Sequence, residues 1–398
     1  MKLRQRLAME WLAVALLASC VVAALTSWES LSRLDNLVYD QLSAIDRPTP
    51  PSEILIVKID EDSLAAYGKW PWSRQRHVEL FDQLAVGDPA AIGFDILLSE
   101  PGDPEDDARL AQSIAGNRDL YLPLHFVFPG SNGAEYDVKQ PIEPLRQAAA
   151  GIGHVNLAID TDGVVRRAAL CFGDKAAKED WPHLIELIYR AVHRQPSPAY
   201  DRLEDCEKRL LMPFADRGSY TSVSYAALAE GQVPLTFLQD KIILIGATAN
   251  GLGDQYPVPL GDGGTLAGVE IMANLFGAIA RDDFVLPLSF PQQLALSLLP
   301  TWILLIGFWR WRPRTTIIVS FGLILAILLS SVLLMQFQLW LAPAAALVGV
   351  ILVYPIWGWR RLQATSDFMD SELQNFHRSS VDIPIMVLLM SSPVKPKS

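Results

Sequence analysis

Cationic side chains are in the minority: 33 lysines and arginines face 44 aspartates and glutamates, for a net charge of −11. With no basic stripe to neutralise phosphates, nucleic acid is excluded as a partner. Cysteine is scarcer still, at three residues, and its spacing is not that of a zinc site. Cys20 lies inside an apolar run, which leaves Cys171 and Cys206 as the pair available for a disulfide; spacing alone does not say whether they meet. The six histidines, His77, His125, His154, His183, His193 and His377, form no His-x-x-x-His pair and no Ser/His/Asp set. No cofactor and no catalytic residue is expected on these grounds. Charged residues make up only 19% of the chain and hydrophobic ones 51%, too apolar for a soluble protein. The apolar excess is concentrated at the N-terminus and after residue 292.

Those concentrations read as membrane spans, since roughly 20 apolar residues cross a bilayer core of about 30 Å. Residues 1–6, with Lys2, Arg4 and Arg6, form a cytoplasmic N-terminus before a first span at 7–28. A rival reading exists, because Leu17-Ala18-Ser19-Cys20 fits a bacterial lipobox with Cys20 as the lipidated residue. The apolar run continues past Cys20 through Leu25, which suits an uncleaved anchor. Three further spans are predicted at 292–309, 315–337 and 339–359. Arg310, Arg312 and Arg314 separate the first two, Arg360 and Arg361 follow the last, and the turn around Gln336 and Gln338 carries no charge. The positive-inside rule then places both arginine clusters in the cytoplasm and the uncharged turn outside, in agreement with the N-terminus. The expected location is the inner membrane, in contact with lipid, with residues 29–290 in the periplasm. Residues 294–359 carry ionisable side chains only in the inside loop, which argues against a transport pathway.

The 29–290 block has globular composition. Short, β-branched strands are predicted at 54–59, 91–97, 120–128 and 241–246, and helices between them at 77–86, 106–115, 183–193 and 269–280. Near-continuous apolar strands alternating with amphipathic helices predict a sheet covered on both faces. Residues 163–171, after the turn Asp160-Thr161-Asp162-Gly163, add an antiparallel hairpin. The fold class expected is therefore α/β, a mixed sheet with helices on both faces, plus four transmembrane α-helices.

Several segments together resemble a known family. They are Val57-Lys58-Ile59-Asp60-Glu61-Asp62-Ser63-Leu64, Gly68-Lys69-Trp70-Pro71-Trp72-Ser73-Arg74 and Ile92-Gly93-Phe94-Asp95-Ile96-Leu97. Gly153-His154-Val155-Asn156 follows, with Asp160-Thr161-Asp162-Gly163-Val164-Val165-Arg166-Arg167, then Gly246-Ala247-Thr248-Ala249, Asp254 and Gly268-Val269-Glu270. In this order, and followed by three spans, they resemble the CHASE domain of type 2, an extracytoplasmic sensory domain of bacterial receptors. The resemblance implies a sensor relaying a stimulus to a cytoplasmic transmitter of histidine kinase or cyclase type, as in two-component systems. It also implies an unidentified extracytoplasmic ligand and a homodimer. After Arg361, residues 362–398 are too few for a catalytic domain. Leu362, Met369 and Phe376 fall seven apart, as at the start of a coiled coil, before Pro384 and the apolar run 385–390 break the pattern. The transmitter is thus expected to be missing or on another chain. Two other readings stand beside this one: a metal-dependent extracytoplasmic hydrolase, and a membrane scaffold subunit recruiting a partner.

Candidate ligand-binding residues are Asp60, Asp62, Arg74, Asp95, His154, Asn156 and Asp254. The aspartates follow or end predicted strands, where open α/β sheets place their ligand crevice, although Asp after a strand also caps helices and turns. Asp160-Thr161-Asp162-Gly163 opens like a calcium loop, but Val164 and Cys171 stand where oxygen ligands are needed, so a tight turn is expected. Gly246–Gly253 resembles a phosphate loop without its lysine and is read as a turn. Trp70-Pro71-Trp72 is expected to pin a loop onto the core, and His377 to be a surface residue of a cytoplasmic helix.

Overall fold

The computed structural model describes residues 3–28, 31–127, 137–174, 179–206, 208–252, 255–261, 263–308 and 310–381. Asp254, Pro384 and the run 385–390 lie outside the described residues. The chain divides into two units, a membrane unit (1–32, 289–331, 342–398) and a sensory unit (33–288, 332–341).

The chain opens with α1 (Leu3–Ser27) and α2 (Ser32–Ser43), then β1 (Ile54–Ile59), α3 (Glu61–Tyr67), α4 (Arg74–Gly87) and β2 (Ala91–Phe94). Next come α5 (Pro104–Ala115), β3 (Leu120–Val127), β4 (Asp137–Lys139), α6 (Glu143–Ala148) and β5 (Gly151–His154). Short strands follow: β6 (Ala158–Ile159), β7 (Val165–Ala169), β8 (Cys171–Asp174) and β9 (Glu179–Pro182). After α7 (Leu184–His193) and α8 (Pro198–Asp201) come β10 (Arg209–Leu211), β11 (Ser222–Ser224), α9 (Tyr225–Ala229) and β12 (Ile242–Ala247). The sensory unit continues through β13 (Gln255–Pro257), β14 (Thr265–Ala267), α10 (Gly268–Arg281) and β15 (Leu286–Pro287). The last elements are α11 (Phe290–Gly307), α12 (Pro313–Met335), β16 (Leu339–Trp340) and α13 (Ala344–Val381).

The main sheet runs β11-β1-β12-β2-β3-β4, with β5 also on β3. Its pairs are parallel except β3–β4, so the sheet is mixed. In β1 and β12, Ile54, Ile56, Ile242 and Leu244 enter one apolar core with α7 and α10. The alternate residues Leu55, Val57, Ile243 and Ile245 enter a second core with α4, α5 and α9. Both sheet faces are covered by helices, and Ile54–Val57 of β1 and Ile242–Ile245 of β12 are apolar at every position for that reason. Two glycines set how closely the helices lie. A Cβ on Gly246 would sit 2.7 Å from the Val269 Cβ at the start of α10, and one on Gly153 would sit 2.7 Å from the Leu184 backbone in α7. Gly246 thus serves helix packing, not the approach of a phosphate.

A second sheet, β10-β7-β6, is antiparallel. Cys171 and Cys206 are disulfide-bonded beside it.

In the membrane unit, α1, α11 and α13 pack closely. A Cβ on Gly349 would overlap Thr301 Oγ1 and press on Val22, and the Trp11 indole donates to the Leu305 carbonyl at 2.8 Å. By contrast α12 leaves Ile318, Phe321 and Leu325 exposed, as a lipid-facing helix does. Among the described residues, three helical segments are long and apolar enough to cross a membrane: Ala8–Ser27, Phe290–Gly307 and Arg314–Met335. The expected fourth span at 339–359 is corrected: Leu339 and Trp340 leave it to pair with Leu286 and Pro287, and the apolar helix that follows is the shorter Ala344–Ile356.

Candidate functional site

At the carboxyl ends of β2, β3 and β5 the sensory unit opens into a crevice of about 620 Å³. Its walls come from the residues just past each strand: Asp95 and Leu97 after β2, His125 and Val127 at the end of β3, and Val155, Asn156 and Leu157 after β5. Tyr256 and Met272 close it from β13 and α10. The volume falls within the range of small-molecule sites, and the position is where open α/β sheets bind ligands. Among the described lining residues the ionisable side chains are Asp95, His125 and Tyr256, with no lysine or arginine. On the other side of Asp95 and Leu97, a smaller cleft of about 410 Å³ is lined by Trp70, Trp72, Arg74 and His77.

The candidate residues are only partly brought together. Asp95 and Asn156 share the larger crevice, and Asp95 and Arg74 the smaller one. Asp60 is the N-cap of α3. Its carboxylate accepts from the Ser63 amide at 2.9 Å, from Ser63 Oγ at 2.6 Å and from Ser224 Oγ at 2.9 Å. Asp62 lies exposed in the same turn. The Arg74 guanidinium is engaged by Asp107 at 2.9 Å and by the Glu100 carbonyl at 2.7 Å. Asn156 acts as a false strand: its amide donates to the Phe126 carbonyl at 2.7 Å and its oxygen accepts from the Phe126 N–H at 2.8 Å.

His154 is fully buried behind that wall, with its ring against Phe172 and His183. Among the described residues neither of its nitrogens has a hydrogen-bond partner. Burial first, then the nearby His183 and Arg209, hold its pKa well below the usual imidazole value. His183, which caps α7 by accepting from the Ile185 amide at 3.1 Å, is pushed down by burial to about 3. Both are neutral at ordinary pH. Trp72 donates to the Gly68 carbonyl at 3.0 Å and packs on Tyr67, Trp70 and Tyr225, so the Trp-Pro-Trp loop is pinned onto the core. Among the described residues, the sole cluster of three metal-type ligands is Cys171, Asp180 and Cys206. Its two sulfurs are already bonded to each other.

Sequence reasoning missed a second constellation next to the crevice. Beyond Ile159, the Asp160–Gly163 turn presents two carboxylates to Arg166 on β7, which is 2% exposed. Arg166 Nη1 donates to Asp160 at 3.0 Å and to Asp162 at 2.9 Å. The remaining edge of the guanidinium is bidentate on Asp40 of α2, at 2.6 and 2.7 Å. Arg167 also pairs with Asp160. Burial alone would lower the Arg166 pKa, but its hydrogen bonds to Asp40, Asp162 and Asp160 outweigh that and raise it. Tyr39, beside Asp40, stacks edge-on against Trp340 in a cluster with Leu211 and Val285. The signal that would have exposed this was the amphipathic pattern of α2, in which Asn36, Tyr39 and Asp40 share one face.

The chain thus combines a helix-covered α/β unit that has a crevice at its strand ends with three helices long and apolar enough to cross a membrane. The CHASE2 domain matches residues 14–327. The chain belongs to the CHASE2 family, whose members are extracellular sensory domains rather than catalytic ones. No match is found among curated proteins or among solved structures.

Proposed function

We propose that this chain is the sensing and anchoring part of a bacterial transmembrane receptor. The sensory unit lies in the periplasm and relays a stimulus through the inner-membrane helices to a cytoplasmic transmitter. The observation that carries this reading is where the sensory unit takes hold of the chain's membrane connections. It contains α2, which follows α1, β15, which precedes α11, and β16, which joins α12 to α13. Tyr39, Leu211, Val285 and Trp340 bring those three segments into one apolar cluster. A rearrangement of the sensory unit therefore acts on every helix at once, as a two-state relay requires. The crevice is the place for the stimulus, as a small molecule with an apolar body.

Cysteine labelling of the full chain in whole cells tests the orientation. Ser99→Cys should react with a membrane-impermeant maleimide in intact spheroplasts, and Gln363→Cys only after permeabilisation. The reverse pattern, or equal labelling of both, would overturn the reading. The residues weighed for a hydrolase favour no second reading, since Asp60 is occupied as a helix cap.

A further inference from the structure

The wall of the crevice and the grip on α2 are parts of one short stretch of chain. Val155, Asn156, Leu157 and Ile159 line the crevice. The next residues, Asp160 and Asp162, hold Arg166 at 3.0 and 2.9 Å. Arg166 in turn holds Asp40 in a bidentate pair. The turn is tight: the Asp160 N–H donates to the Val164 carbonyl at 3.0 Å and the Gly163 N–H to the Asp160 carbonyl at 2.9 Å. Gly163 takes a φ of +83°, in the left-handed region. A turn this short gives β6 little slack, so a displacement of Ile159 is delivered to the Asp160 carboxylate.

The geometry points to Arg166 as the coupling residue of this sensor: it converts movement of the crevice wall at 155–159 into release or retention of α2 through Asp40. This inference rests on the crevice being the input site, and it adds the route by which the input is read.

The chemistry suits a device with two states. A guanidinium shared among three carboxylates has fixed donor directions, so bidentate pairing with Asp40 demands one orientation. If the Asp160 and Asp162 oxygens shift, the fork loses its alignment on Asp40. A buried, partly unpaired carboxylate is costly, so α2 leaves instead of remaining half-bound. An apolar contact in the same place would loosen gradually. Arg166 is a positioning residue here, since it does not line the crevice. Its counterpart on α2 is confined to one turn: Asp40 takes the fork, and Asn36, one turn earlier, is buried on the same face. The helix is thus read on one face, immediately after the first membrane helix.

Hydrogen exchange of the full chain in lipid nanodiscs tests this without knowledge of the ligand. Ile159 is 54% exposed and lines the crevice, so Ile159→Trp loads the wall without entering the core. The expected result is exchange in α2 faster by about tenfold or more, with β1 and β12 unchanged. In an Asp40→Asn background, where the charged pair is already gone, the same Ile159→Trp substitution should add nothing to α2 exchange. A purely structural Arg166 gives a different outcome, in which the two substitutions act independently and their factors multiply. That multiplication, or α2 exchange unmoved by Ile159→Trp, overturns the proposal. If β1 and β12 also lose protection, the same cycle is run with Leu157→Phe, a smaller load on the same wall. Success here combined with failure of any small molecule to bind would remove the crevice as input while leaving Arg166 as the coupler. Binding without coupling would do the opposite.

Discussion

The main sheet and the β10-β7-β6 sheet of the sensory unit are held by different physics. In the main sheet, β1 and β12 bury apolar side chains on both faces, and area removed from water supplies the stabilisation. Such a core tolerates repacking of volume but has no directional contact whose loss would switch it. The small β10-β7-β6 sheet instead carries a buried arginine among three aspartates, next to a disulfide. Its contacts are directional and depend on both partners. The division is one of labour: the main sheet keeps its shape, and the small sheet is where shape is converted into attachment or detachment of α2.

The comparison is sharpest at Arg166. Arg166→Met leaves Asp40 and Asp162 short of a cation, and removing one side of a buried pair costs about 3–5 kcal/mol. Phe81→Ala, in the main core, should cost a similar amount through its cavity, about 3–5 kcal/mol. The two differ in rescue. Adding Asp40→Met to Arg166→Met should recover a good part of the loss, because the uncompensated carboxylate is gone. Urea unfolding of the full chain in micelles reads all three variants, and a double variant no more stable than Arg166→Met would dissolve the distinction.

Acid separates the regions further. Burial pushes His77 and His183 down to about 3, whereas an unfolded imidazole titrates near 6.5. Below about 6.5 the unfolded chain binds protons that the folded chain does not, so stability falls as pH drops towards 3. The aspartate side begins lower. For Asp162, burial raises the pKa but the hydrogen bond and charge of Arg166 outweigh it, leaving it lowered. Its contribution is intact above the unfolded value of about 3.9 and is lost as pH falls through the folded one. Between pH 6.5 and 4.5 the slope therefore belongs to the histidines. His183→Asn, which keeps a capping side chain on α7, should flatten it by about 1.4 kcal/mol per pH unit in urea midpoints. Parallel profiles would assign the acid loss elsewhere.

The smallest expected effect concerns the strand-end aspartates. Asp60→Ala removes a cap bonded to Ser63 and Ser224 and should cost about 1 kcal/mol. Asp62→Ala, on the exposed side of the same turn, should stay within about 0.5 kcal/mol. Equal losses in thermal unfolding of the full chain would mean that Asp62 has a partner of its own.

The main sheet was legible in the sequence because a strand buried on two faces is apolar at every position, as in Ile54-Leu55-Ile56-Val57. The small sheet was not. Arg166 and Arg167 were visible as part of a motif, but a strand arginine looks the same whether it faces water or three aspartates. Asp40, its main partner, stands 126 positions earlier in sequence. Asp60 showed the opposite ambiguity, since a carboxylate after a strand suits both a ligand and a helix cap, and Ser63 three residues later decides for the cap. Asp95 was placed near a crevice by the strand-end rule, and Asn156 entered as the neighbour of His154. His125 and Tyr256, on its rim, had no pattern to single them out. Leu339 and Trp340 were read as the start of a membrane helix, because two apolar residues are too few to show a period.

The pairing of Leu286–Pro287 with Leu339–Trp340 also fixes where this sensor can be cut. A soluble fragment ending at Leu288 would expose the edge of β15 and lose the indole ring that stacks on Tyr39. A receptor chimera joined between α11 and α12 would carry the same defect into the membrane. The transplantable piece is discontinuous along the gene, and the first junction that keeps it whole lies beyond Trp340. An engineer grafting this input onto a foreign output should therefore move the intervening hairpin of helices with it.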